Sequence, residues 1–108
     1  MREMIATIAY RVRTDEDLMG LAGRGDERAF DEVVRRHRGR IYGFACGVLD
    51  EERAAGVLRE ALVSAYRDRE SKESLVDVKA WLLVHAARAL LRSVRDRHEQ
   101  LSPDRSAG

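Results

Sequence analysis

The sequence predicts an all-α fold, a compact bundle of about four helices. Three observations carry that reading. The only proline is Pro103, in the closing "LSPDRSAG", so nothing before it breaks a helix. Four segments repeat apolar residues at steps of three and four. Acidic or hydroxyl side chains stand just before those segments, where helix caps belong. The length of 108 residues suits one domain.

The first predicted helix follows Thr14, with Asp17 three residues on, as in a capping box. Asp15, Glu16 and Asp17 suit the positive end of its dipole. Leu18, Leu21 and Ala22 form its apolar side, and Gly23 and Gly25 end it. Residues 1–14 are set apart as an N-terminal extension. Their apolar patch is short, is interrupted by Thr7 and lacks a cleavage site, so it is not read as a signal peptide.

The second helix starts at Asp26. Phe30, Val33, Val34, Ile41, Phe44, Ala45 and Val48 are its expected core face, with Arg35, Arg36, Arg38 and Arg40 outside. Gly39, Gly43 and Gly47 recur every four residues. Each costs about 0.8–1.0 kcal/mol relative to alanine, so either a neighbouring helix comes close or the helix kinks. His37 is expected at the core boundary, and Cys46 as a buried, inert thiol.

Asp50 caps the third helix, which buries Ala54, Val57, Leu58, Ala61, Leu62 and Ala65. Gly56, Arg59, Glu60 and Val63 point the other way at about 100° per residue. "RDRESKESLVD" (67–77) loses the periodicity and reads as a loop, with Ser74 or Asp77 as the next cap. The helical domain is placed at 15–98 and a polar tail at 99–108.

The fourth helix contains "AWLLVHAARALLRSVRDRHE". With Trp81 at 0° on a helical wheel, His85, Arg88, Arg92 and Arg95 fall within roughly 40° of it. Leu83, Ala86, Leu90 and Val94 fall towards the other side. The expectation is an outward row of cations headed by an indole. Arginine binds phosphate and stacks on bases, and an aromatic ring adds a stacking surface. A solvated helix face is the other reading of the same row.

Composition limits the alternatives. The net charge of +1 argues against indiscriminate coating of nucleic acid, although a local cationic patch is compatible with it. One cysteine allows no internal disulfide, which suits a reducing, cytoplasmic setting. No run approaches the roughly 20 apolar residues that span a bilayer. The histidines lack metal-ligand spacing, there is no phosphate-binding glycine loop, and the carboxylates are scattered. No metal, no cofactor and no enzymatic activity are expected.

The order of these features resembles region 2 of the extracytoplasmic-function class of bacterial sigma factors. Gly25-Asp26, Ala29-Phe30, Arg35-Arg36, Arg38 and Tyr42 are similar to the family's opening. Ala80, Trp81, Leu82, Leu83, Ala86 and Leu91 are similar to its Ala-Trp-Leu helix, and the resemblance covers about 14–99. It implies a transcription-initiation domain that docks on the clamp helices of the RNA polymerase core and opens the −10 promoter element. The 67–77 segment and the start of the last helix would accept a flipped, single-stranded base. Lys79, Trp81, His85, Arg88, Arg92 and Arg95 would face DNA. Gly56, Arg59, Glu60 and Val63 would meet polymerase or a regulator. The family usually carries Asp and Gln where Gly56 and Arg59 stand, and only Glu60 keeps the pattern. Nothing resembles its helix-turn-helix domain. The rival expectation is a sigma-like interaction module that binds an anti-sigma factor or other regulator without initiating transcription.

Overall fold

The computed structural model describes the backbone of residues 1–101 and the side chains of residues 1–99. Six helices follow in order: α1 (Arg2–Arg11), α2 (Asp15–Gly23), α3 (Glu27–Cys46), α4 (Glu51–Arg67), α5 (Glu73–Val76) and α6 (Val78–Leu101). Among the described residues there is no strand, and the fold is all-α. No helix among them is long and apolar enough to cross a membrane. Residues 99–101 continue α6, whereas the rest of the expected tail, Pro103 included, lies outside the described residues.

Four helix starts are fixed by one device. Thr14 Oγ1 accepts from the Asp17 amide (3.1 Å), Asp26 Oδ1 from Ala29 (3.2 Å), Asp50 Oδ1 from Arg53 (2.9 Å) and Asp77 Oδ1 from Ala80 (3.0 Å). Each satisfies an amide that the helix cannot. Asp77, not Ser74, is the cap of α6. Ser74 is buried and donates to the Ser71 carbonyl at 2.7 Å.

The α2–α3 corner joins a stop to a start. Gly25 has φ +102°, a conformation that disfavours a side chain. Its amide bonds to the Ala22 carbonyl and that of Asp26 to Leu21, both at 3.0 Å, which is a Schellman closure. Asp26 therefore ends one helix and caps the next.

The core is shared by Leu18 and Met19 of α2, Phe30, Val33 and Ile41 of α3, Val57 of α4, and Leu82 and Leu90 of α6. Alanines line the α4–α6 contact, the most extensive in the molecule: Ala54, Ala61 and Ala65 on one helix, Ala86 and Ala89 on the other. Val34, Leu58 and Leu62 are only half-buried against this core.

Several expectations need correction. Phe44 and Val48 are 43% and 62% exposed. Tyr10, Arg11 and Asp15 meet Asp26, the cap of α3, and Arg36 and His37 at its middle, and Phe44 lies about two turns beyond them. Val48 lies beyond the end of α3, where helical period no longer directs it, and Leu49 turns inward instead. Cys46 is exposed, because it sits about 140° around α3 from Ile41. A Cβ on Gly39 or Gly43 would meet nothing, so no helix comes close there, and Gly47 is the C-cap of α3.

Residues 2–11 form a helix that the sequence had not marked, and none of its residues is buried. It is held by polar contacts. Tyr10 donates to Asp26 at 2.8 Å. Arg36, expected on the outside, donates to Glu32, to Asp15 and to the carbonyls of Tyr10 and Arg11. His37 is buried as a boundary residue, with Nε2 2.8 Å from Asp15 and Nδ1 3.0 Å from Arg40.

Candidate nucleic-acid interface

α6 buries two members of the expected DNA-facing row and leaves its cations outside. Trp81 and His85 are 6% and 5% exposed, in line with Val78, Leu82, Ala86 and Ala89. The buried side is centred about 80° around the wheel from Trp81, between the two expected faces. Trp81 and His85 are therefore core residues, not an outward stripe. Arg88, Arg92 and Arg95 are exposed, as is Lys79. Arg92 is also engaged, donating from Nε to Glu60 Oε1 at 2.6 Å.

Trp81 and His85 meet edge to face, with centroids 5.0 Å apart. Both reach Asp68 in the turn after α4: indole Nε1 and imidazole Nε2 each lie 3.3 Å from its Oδ2. Ser64 Oγ lies 2.6 Å from His85 Nδ1. With the imidazole proton on Nε2, Trp81 and His85 both donate to Asp68, and the Ser64 hydroxyl donates to Nδ1. Every ring nitrogen of the buried pair then has a partner, as burial requires.

Beside this network lies an open cleft of about 570 Å³ between the 68–72 turn, α5 and the first turns of α6. Its volume is within the range of small-molecule sites. Trp81 and His85 line its base, and Val76, Ala80 and Val84 give it an apolar wall. Three carboxylates border it, Asp68, Glu73 and Asp77, against one cation, Arg88. The Ser71 hydroxyl donates to Glu73 and holds that carboxyl below its usual range. Asp77 is partly committed as the α6 cap.

This lining changes the expected chemistry. Carboxylates accept hydrogen bonds and repel phosphate, whereas apolar walls take the flat surface of a ring. The cleft suits a planar group with N–H donors at its edge better than it suits a phosphodiester. Lys79, Arg92 and Arg95 do not line it.

The second predicted set is brought together. Gly56, Arg59, Glu60 and Val63 line a groove along α4 with Ser64, Arg67 and Arg92 of α6. Val63 is 44% exposed. The Glu60–Arg92 bond ties this face to α6, so the two predicted sets adjoin. Asp68, Ser64 and Glu73 were absent from the sequence-based site. Their partners lie on another helix or within a segment without periodicity, and no local pattern announces them.

Among the described residues no group of three or more His, Cys, Asp or Glu side chains could hold a metal ion. No family model, no curated protein and no solved structure matches the chain.

Proposed function

We propose that this chain is a sigma region 2-like domain that captures an unpaired base of the −10 promoter element in the α5–α6 cleft. One observation carries the reading. The cleft lies between the 67–77 segment and the start of α6, where the family resemblance puts base capture, and its lining suits a base edge. The carboxylates would accept from an exocyclic amine, Val84 and Val76 would cover the ring, and Arg88 at the rim would hold the adjoining phosphate. This replaces the phosphate-binding row as the working mechanism. The outer face of α4 would meet the RNA polymerase core, in the cytoplasm of a bacterial cell, through Arg59, Glu60 and Val63.

The test is fluorescence anisotropy with labelled single-stranded DNA of −10-like sequence and its duplex, over a salt series. Wild type binds the single strand in preference. Glu73→Gln and Arg88→Ala each weaken binding. Only Arg88→Ala lowers the salt dependence, by roughly 0.7 log units per log unit of salt for one phosphate contact. Absence of single-strand binding at low salt overturns the reading.

A second reading is favoured by the Glu60–Arg92 bond. The glutamate that keeps the family pattern is engaged within the chain, and Gly56 and Arg59 alter the rest of that surface. On this reading the chain is an interaction module that binds a regulator, such as an anti-sigma factor, without initiating transcription. Capture of RNA polymerase core by the tagged protein separates the two: a salt-resistant complex favours initiation, and its absence favours the module.

A further inference from the structure

α6 carries two apolar faces, and only one of them is used inside the fold. Opposite the buried side, Ala80, Val84, Ala87, Leu91 and Val94 follow one another at steps of four, three, four and three. That is the seam spacing of a coiled coil. Val84, Leu91 and Val94 are 47%, 61% and 40% exposed. From Ala80 to Val94 the seam runs about 21 Å. Single exposed apolar residues are ordinary, but a continuous line in heptad register is the pattern that packs a second helix.

The charges beside the seam define the occupant. Arg88 and Arg95 flank it on one side and Lys79 and Arg97 on the other. Among the described residues none of the four enters an ion pair. Carboxylates gather at the seam's N-terminal end, where Asp68, Glu73 and the cap Asp77 border the cleft with Ala80 and Val84. Asp96 and Glu99 are the carboxylates of α6 itself, and Asp96 lies about 160° around the wheel from the seam, so the flanks from Arg88 to Arg97 stay cationic. A second copy of this chain fits poorly. An antiparallel pair sets Arg88 of one copy against Arg95 of the other. A parallel pair sets both arginines against Leu83 and Leu90, which already pack inward to different degrees.

We infer that the exposed seam of α6 docks an acidic amphipathic helix, apolar at its own heptad seam and flanked by Asp or Glu. Burial of Val84, Leu91 and Val94 supplies the attraction. Arg88, Arg95, Lys79 and Arg97 supply partner choice and orientation, as flanking charges do in coiled coils. Ala80, Val84 and Arg88 also line the cleft, so a docked helix and a captured base would compete there, whereas Leu91, Val94, Arg95 and Arg97 lie outside it and are tested without DNA.

The experiment titrates the full chain, without DNA, with a labelled synthetic helical peptide. The peptide has leucine at its seam positions and glutamate flanking them. The glutamates repel one another and keep the peptide from pairing with itself. A counterpart carries lysine in their place. The glutamate peptide binds and the lysine peptide does not. Leu91→Asp weakens binding by roughly tenfold to a hundredfold, the factor that burying one leucine is worth. Its thermal unfolding stays that of wild type, because Leu91 is exposed. Arg95→Glu combined with Arg97→Glu shifts preference towards the lysine peptide. Equal binding of both peptides, or of neither, overturns the inference. So does a concentration-dependent dimer of the chain alone that Leu91→Asp abolishes, because the seam then belongs to a second copy.

Discussion

Glu32 shows how a single side chain can be decided by neighbours that it does not announce. It lies on α3 at 7% exposure, with Arg35 donating to both of its oxygens and Arg36 to one. The Arg35 hydrogen bonds, joined by those of Arg36 and opposed by burial, lower its pKa from 4.5 to about 2. A carboxyl depressed on folding contributes stability at neutral pH. That contribution fades as pH falls from about 4.5 through about 2. Its loss is expected to be about 1–3 kcal/mol. Urea unfolding across that pH range should show the fall in wild type and a flatter profile in Glu32→Gln. The Ser64–His85–Asp68–Trp81 group makes a second test. Ser64→Ala removes the partner of a buried ring nitrogen and should cost about 1–3 kcal/mol. At this scale the sequence was partly legible. The alignment of Trp81 with His85 was real, but their shared partner Asp68 lies on another element, so the pair was assigned to solvent rather than to the core.

Among the helices, those that announce themselves in sequence are those that bury a face behind a capping side chain. α2, α3, α4 and α6 do both, and their starts at Thr14, Asp26, Asp50 and Asp77 were readable. α1 buries no residue and has no side-chain cap, and α5 is a single turn of four residues, so neither gives a period to detect. α1 is held to the bundle largely through Arg36. Arg36→Ala should therefore release α1 and the α1–α2 turn, seen as faster amide exchange at residues 2–14 with the core amides still protected. α6 offers the contrast between its two faces. Leu82→Ala, at a 2% exposed position, should cost about 2–5 kcal/mol in chemical denaturation. Leu91→Ala should stay within about 0.5 kcal/mol. The wheel drawn from sequence could not separate these faces, because both are apolar and the true centre of burial falls between the two that were drawn.

For the whole molecule, the bundle brings a cleft at the α5–α6 end beside a groove along α4; the Glu60–Arg92 bond lies in the groove, and the Ser64–His85 bond links the two, since Ser64 lines the groove and His85 the cleft. The groove has its own prediction: Val63→Asp should weaken capture of RNA polymerase core while leaving thermal stability unchanged, since Val63 is part-exposed already. The all-α class was legible from proline placement and periodicity. The cleft and its acidic lining were not legible from periodicity, because Asp68, Glu73 and Asp77 are spread over a turn, a short helix and a cap. The central claim is that the cleft takes a base and not merely a phosphate. Trp81 is the chain's only tryptophan and lines that cleft, so its emission reports on occupancy directly. The decisive measurement titrates Trp81 fluorescence with a single-stranded −10-like oligonucleotide and with copies lacking one base at successive positions. The account predicts that the intact strand changes the emission and that removing one particular base abolishes the change. An unchanged emission with the intact strand, or the same change with every abasic copy, would contradict it.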